Sequence, residues 1–208
     1  MKLFRGKPER PGGTNARGAA PDGDGGARAT HLLTLDLARA EKLAGMLAHS
    51  RAAKSVEVAD LLAGMYIYEW ERLARFWDHR ERVERLLQQM CNISPQRWHH
   101  WIEFYDTQRR KDAKEAASPL PSFVKRQEEE APLGQSTELQ ELFRAAEELS
   151  PFLDRMDADN VPVLTTECML LCIARNERSE LSRKVRETGL DLEALELAAR
   201  DPRRAPPR

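Results

Sequence analysis

The chain has 208 residues, 33 basic and 34 acidic, with a formal charge of −1, 41% hydrophobic residues and a mean hydropathy of −0.64. That length suits one to two domains, and the balanced charge excludes both a histone-like basic coat and an acidic solvating protein. No run approaches the ~18 consecutive apolar residues of a membrane span, and Met1 to Arg10 has no apolar stretch after its basic residues, so neither a membrane segment nor a secretory leader is expected.

Residues 1–30 hold seven of the 11 glycines, beside Pro8, Pro11 and Pro21, and have no apolar periodicity. Such a stretch cannot bury enough surface to offset its chain entropy, so it reads as a disordered tail. Helical patterning begins at residue 31. Leu32, Leu35, Ala38 and Leu43 open a three-four pattern that runs through Met46 and Leu47. Val58, Leu61, Leu62, Met65 and Tyr66 form a second stripe. Leu73, Phe76 and Trp77 start a third, with Val83, Leu86, Leu87 and Met90 beyond. Ser94-Pro95 reads as a helix start, a capping oxygen followed by proline at the first helical position. Trp98, Trp101, Ile102 and Tyr105 then line one face.

Residues 112–135, with Pro119, Pro121, Pro132 and the acidic run Glu128-Glu129-Glu130, read as a linker. In 136–201, Ser136 or Thr137 can cap a helix running to about Leu149. Thr165 or Thr166 can cap the helix that bears Met169, Leu170, Cys172 and Ile173. Gly189 ends a further helix. Residues 202–208 form a short basic tail. Strand signals are nearly absent, so the expected class is all-α. Segments 31–111 and 136–201 are each short for a solitary domain and are expected to pack against each other.

The two segments resemble each other at spacings of 106 to 109 residues. Ala40-Glu41-Lys42-Leu43 lies over Ala146-Glu147-Glu148-Leu149. Leu61, Leu62 and Met65 lie over Met169, Leu170 and Ile173, and Leu73 and Arg75 over Leu181 and Arg183. Two such helical units side by side would complete each other's core. In the second unit, Leu164-Thr165-Thr166-Glu167-Cys168-Met169-Leu170-Leu171-Cys172-Ile173 resembles the valine-glycine-threonine-glutamate-histidine pattern and following apolar helix of the Clp N-terminal domain. Leu181-Ser182-Arg183-Lys184-Val185 and Thr188-Gly189-Leu190-Asp191-Leu192 are similar to the end of a repeat in that family. The resemblance covers about 137–200 well and about 35–90 weakly. The first unit departs from the pattern: Ala59 stands where the glutamate would be, no glycine separates its last two helices, and the aromatic-rich extension 94–111 has no counterpart.

The resemblance implies two repeated helical bundles packed as a pseudo-two-fold double-repeat domain. It implies a non-catalytic protein-binding module that recruits protein substrates or adaptors to a AAA+ unfoldase or protease. No Gly-x-x-x-x-Gly-Lys-Ser/Thr loop is present, so an ATPase would be a separate chain. In some family members the threonine-glutamate pair helps bind phosphorylated arginine. Thr166 and Glu167 match it, beside the plainer reading that Thr166 caps a helix and Glu167 favours its N-terminal dipole.

Other constellations carry less. His99-His100 point about 100° apart on a helix and have no third ligand at a recognisable spacing, so a partly buried aromatic face is favoured over a metal site. Cys168 and Cys172 sit one turn apart in an apolar helix, where cysteine behaves as a small hydrophobe. Three cysteines are too few for a disulfide framework, and a reducing cytoplasm is expected. Neither cofactor nor metal is expected, and no catalytic motif is found. Nine of the 13 aromatics lie between Tyr66 and Tyr105. Tyr68 and Trp70, with Arg72 and Arg75 close by, are candidates for a peptide or partner surface, because aromatics and arginine are enriched in binding hot spots. Core packing with solvated charge is the competing reading. Arg109-Arg110-Lys111 could touch phosphate, but a solvated helix end is preferred and nucleic acid is not the expected partner. A helical regulator contacting nucleic acid and an unrecognised helical enzyme are the alternatives.

Overall fold

The computed structural model describes residues 31–116 and 133–201. The expected tails at 1–30 and 202–208, and most of the expected linker, lie outside the described residues. The class is all-α. In chain order the elements are β1 (Leu32–Leu33), α1 (Leu35–Ser50), α2 (Val58–Tyr68), α3 (Trp70–Leu73), a 3-10 turn at Ala74–Phe76, α4 (Arg80–Met90), α5 (Pro95–Ala116) and α6 (Thr137–Leu149). A 3-10 turn at Ser150–Leu153, β2 (Val163–Leu164), α7 (Thr166–Arg175), α8 (Glu180–Glu187) and α9 (Leu192–Arg200) follow.

Helix starts follow the capping chemistry in the sequence. Ser136 accepts from the Leu139 amide at the head of α6, Thr165 from Cys168 at the head of α7, and Asp191 from Ala194 at the head of α9. These side chains satisfy amides that a first helical turn leaves unpaired. At α2 the carboxylate of Asp60 accepts from the Glu57 amide at 2.9 Å and is held by Arg51 at 2.7 and 3.1 Å. Asp60 is fully buried and serves as a structural cap. Gly189 (φ 88°) gives α8 a left-handed stop. Asn92 (φ 51°) supplies the same stop after α4, without a glycine.

Two boundaries differ from the sequence reading. α5 continues to Ala116, past residue 111, because Asp112 to Ala116 contains no helix breaker and ends before Pro119. The stripe begun at Leu73 is broken by the 3-10 turn and by extended Trp77 (φ −124°, ψ 131°), so α4 is a separate helix.

Two helices form the centre. Every residue of α2 is buried, as is all of α7 except Arg175. A helix apolar all round belongs inside a fold. α1 lies against α2 so closely at Gly64 that an added Cβ would collide with the Ala40 carbonyl oxygen. α6, α8 and α9 surround α7.

The strand contacts cross between the two segments. β1, which precedes α1, pairs in parallel with β2, which precedes α7, in the register Leu32 to Val163 and Leu33 to Leu164. Val56, which precedes α2, pairs in parallel with Gln135, which precedes α6. A third seam joins Trp77 to Leu190: the Asp191 amide donates to Phe76 O at 2.7 Å, and buried Trp77 Nε1 donates to Thr188 Oγ1 at 2.8 Å. One continuous apolar cluster includes residues of both segments.

Candidate functional site

The end of α2, the short helix α3 and the start of α7 bring together Glu69, Arg72, Thr166 and Glu167. The Arg72 guanidinium lies 3.0 Å from a Glu69 oxygen through Nη2 and 3.0 Å from a Glu167 oxygen through Nε. Both carboxylate side chains are 5% exposed and Arg72 is 34% exposed. Thr166 is fully buried. One arginine thus bridges two buried carboxylates from different segments, with its flank open to water.

This ratio leaves excess negative charge in a poorly solvated place. Burial pushes the Glu69 carboxyl up to about 7; the Arg72 charge opposes the rise, while Asp36 and Glu167 reinforce it. The cluster can therefore take up a proton near neutrality. Glu167 already faces a guanidinium, supplied by Arg72.

The other candidates lie apart from this cluster. Tyr68 is 3% exposed; its hydroxyl accepts from Arg39 Nη1 at 2.6 Å and its ring meets Tyr105 edge-on at 6.2 Å. Trp70 is half-buried beneath the Arg80 guanidinium, 4.3 Å from its ring centre. Arg75 Nε donates to the Glu71 carbonyl one turn back at 3.2 Å. Tyr68 is therefore a core ring, and the run 66–70 offers no continuous aromatic surface.

Glu69 was missed at the sequence level. A signal existed: it falls on the stripe Leu62, Met65, Tyr66, Leu73, a place where a carboxylate is expected to be buried and partnered. His99 and His100 are both exposed. Cys168 and Cys172 are buried within α7, and the hydrogen bond with Cys168, together with burial, raises the Cys172 thiol. Among the described residues, no group of three His, Cys, Asp or Glu side chains converges to hold a metal ion. No described helix is long and apolar enough to cross a membrane.

A second feature lies at the seam between the segments. A groove of about 380 Å³ is lined by Val58, Ala59, Met90 and Leu181 and by the charged side chains Glu57, Glu138, Arg178 and Glu180. Its lining includes Ala59, at the head of α2, the position that corresponds in the sequence overlay to Glu167 at the head of α7. Comparison with protein-family models, with curated proteins and with solved structures finds no match to this chain.

Proposed function

We propose that this chain is a non-catalytic protein-binding module resembling the Clp N-terminal domain, built as a pseudo-two-fold double repeat. It recruits protein substrates or adaptors to a separately encoded AAA+ unfoldase or protease in the cytoplasm. The observation that carries the reading is the reciprocal strand pairing. The segment before the first helix of each unit pairs, in parallel, with the segment before the second helix of the other unit. Two copies of one helical unit related by a two-fold would exchange contacts in this way. The seam groove, lined by both apolar and charged side chains, suits an extended peptide segment.

Thr166 and Glu167 are the pair that would take phosphorylated arginine, and Arg72 then acts as an internal occupant of the same carboxylate. The deciding experiment is affinity capture of the full chain from its source cell, read by mass spectrometry. Recovery of a AAA+ subunit supports the reading. Repeated capture without any protein-quality-control component overturns it.

A further inference from the structure

Helix α5 is packed on one flank and bare on the other. Trp98 and Ile102 face the core, 0% and 7% exposed. One step round the helix, Trp101 stacks on Tyr105 at 5.8 Å, and Phe104 meets Tyr105 edge-on at 5.1 Å. The Tyr105 hydroxyl donates to Met46 Sδ of α1 at 3.5 Å. Phe104 is 53% exposed and Met46 43%. Phe104 and Met46 thus face solvent on a ridge from α1 to α5, backed by the partly buried rings of Trp101 and Tyr105. The rings brace one another, so little side-chain freedom is left to lose on docking.

The ridge has a basic surround. Positions 97, 101, 104 and 111 fall on one stripe of the helix, which sets exposed Arg97 and Lys111 at either end of Trp101 and Phe104, with exposed His100 between them. Arg109 and Arg110 are held by Asp106 at 2.9 and 2.7 Å, and Arg109 also by Glu71 at 3.3 Å, so Arg97 and Lys111 stand against Glu103 as the charges that frame the ridge. Aromatics, methionine and arginine are the side chains enriched where proteins meet.

We infer that the Met46–Trp101–Phe104–Tyr105 ridge docks an acidic amphipathic helix of a partner protein. The partner's apolar stripe covers Phe104 and Met46, and its carboxylates meet Arg97 and Lys111. A nucleic-acid strand fits the ridge less well, because Trp101 and Tyr105 already stack on each other and a thioether offers no stacking face. The ridge shares no residue with the seam groove or with the Glu69–Arg72–Glu167 cluster, so this docking can hold or fail without the AAA+ reading.

The test uses the full chain and three fluorescent probes read by anisotropy. One is a synthetic helical peptide with leucine and phenylalanine on one face and glutamate on the other. The second is the same peptide with lysine for glutamate, and the third is oligothymidine. The acidic peptide is expected to bind saturably and to weaken as salt rises. Phe104→Ala is expected to weaken it by about 30-fold, the loss of a hot-spot residue, with only a small fall in thermal stability because the ring is half exposed and touches Tyr105 alone among the aromatic rings. The double variant Arg97→Glu, Lys111→Glu keeps the ridge and should also weaken it. Absence of saturable binding by the acidic peptide, equal binding of the lysine peptide, or tighter binding of oligothymidine overturns the inference.

Discussion

Glu69 shows how a single carboxyl couples this fold to pH. Its folded value of about 7 lies above the ordinary glutamate value of 4.5. Between those two values the folded protein holds a proton that the unfolded chain has released, so this group lowers stability as pH rises through the window. Glu69→Gln removes the dependence. Thermal melts should show the variant more stable than the parent by about 2 kcal/mol at pH 8 and nearly equal to it at pH 5; a lower melting temperature at pH 8 would refute this. Arg72→Ala has the opposite sign. It strands two buried carboxylates and should cost about 3 kcal/mol, more at pH 8 than at pH 5. Adding Glu69→Gln to it should recover part of that loss, and strict additivity of the two changes would show that they are not coupled.

At the scale of elements, the crossing of α1 over α2 depends on Gly64. Alanine there favours the helix by about 1 kcal/mol in propensity, yet its methyl group would meet the Ala40 carbonyl, a backbone atom that moves only with its helix. Overpacking at such a contact costs about 1–3 kcal/mol. Gly64→Ala should therefore be destabilising in urea melts, whereas Gly45→Ala, which meets nothing within 4 Å, should not be.

The local signals for elements were strong. Ser136, Thr165 and Gly189 mark their helix ends in the sequence because a cap or a left-handed stop is chemistry of a few neighbouring residues. The break at Trp77 was hidden, since it is imposed by the bridge to Leu190, 113 residues later along the chain. Of the candidate site residues, Thr166, Glu167 and Arg72 do meet, but that Arg72 bridges two carboxylates follows only from α3 being laid across the start of α7.

At the scale of the whole molecule, the segments interlock. β1 to β2, Val56 to Gln135 and Trp77 to Leu190 each cross between them, and the central helices α2 and α7 are buried on almost every side. Neither segment can cover its central helix alone. Residues 31–116 and 133–201, produced separately, should each lack a cooperative thermal transition by circular dichroism, and mixing them should restore one. Independent cooperative melting of either piece would show that the seam is incidental to folding.

The sequence by itself determined the all-α class, the positions of most helix ends and the burial of the stripes on α2 and α7; on α1 it did not, since Leu35 and Met46 of the expected stripe are exposed while Leu37, Ala40 and Ala44 are buried beside Leu43 and Leu47. Those properties depend on residue spacing and on contacts within one turn. Only the tertiary structure decided that Tyr68 is a core ring, that Glu69 is a buried carboxyl sharing one arginine with Glu167, and that the exposed aromatic face lies on α5. An aromatic residue in a helical pattern is equally consistent with core or surface until a neighbouring helix covers it. A carboxylate acquires its partner and its proton affinity from groups that the chain brings to it over long separations.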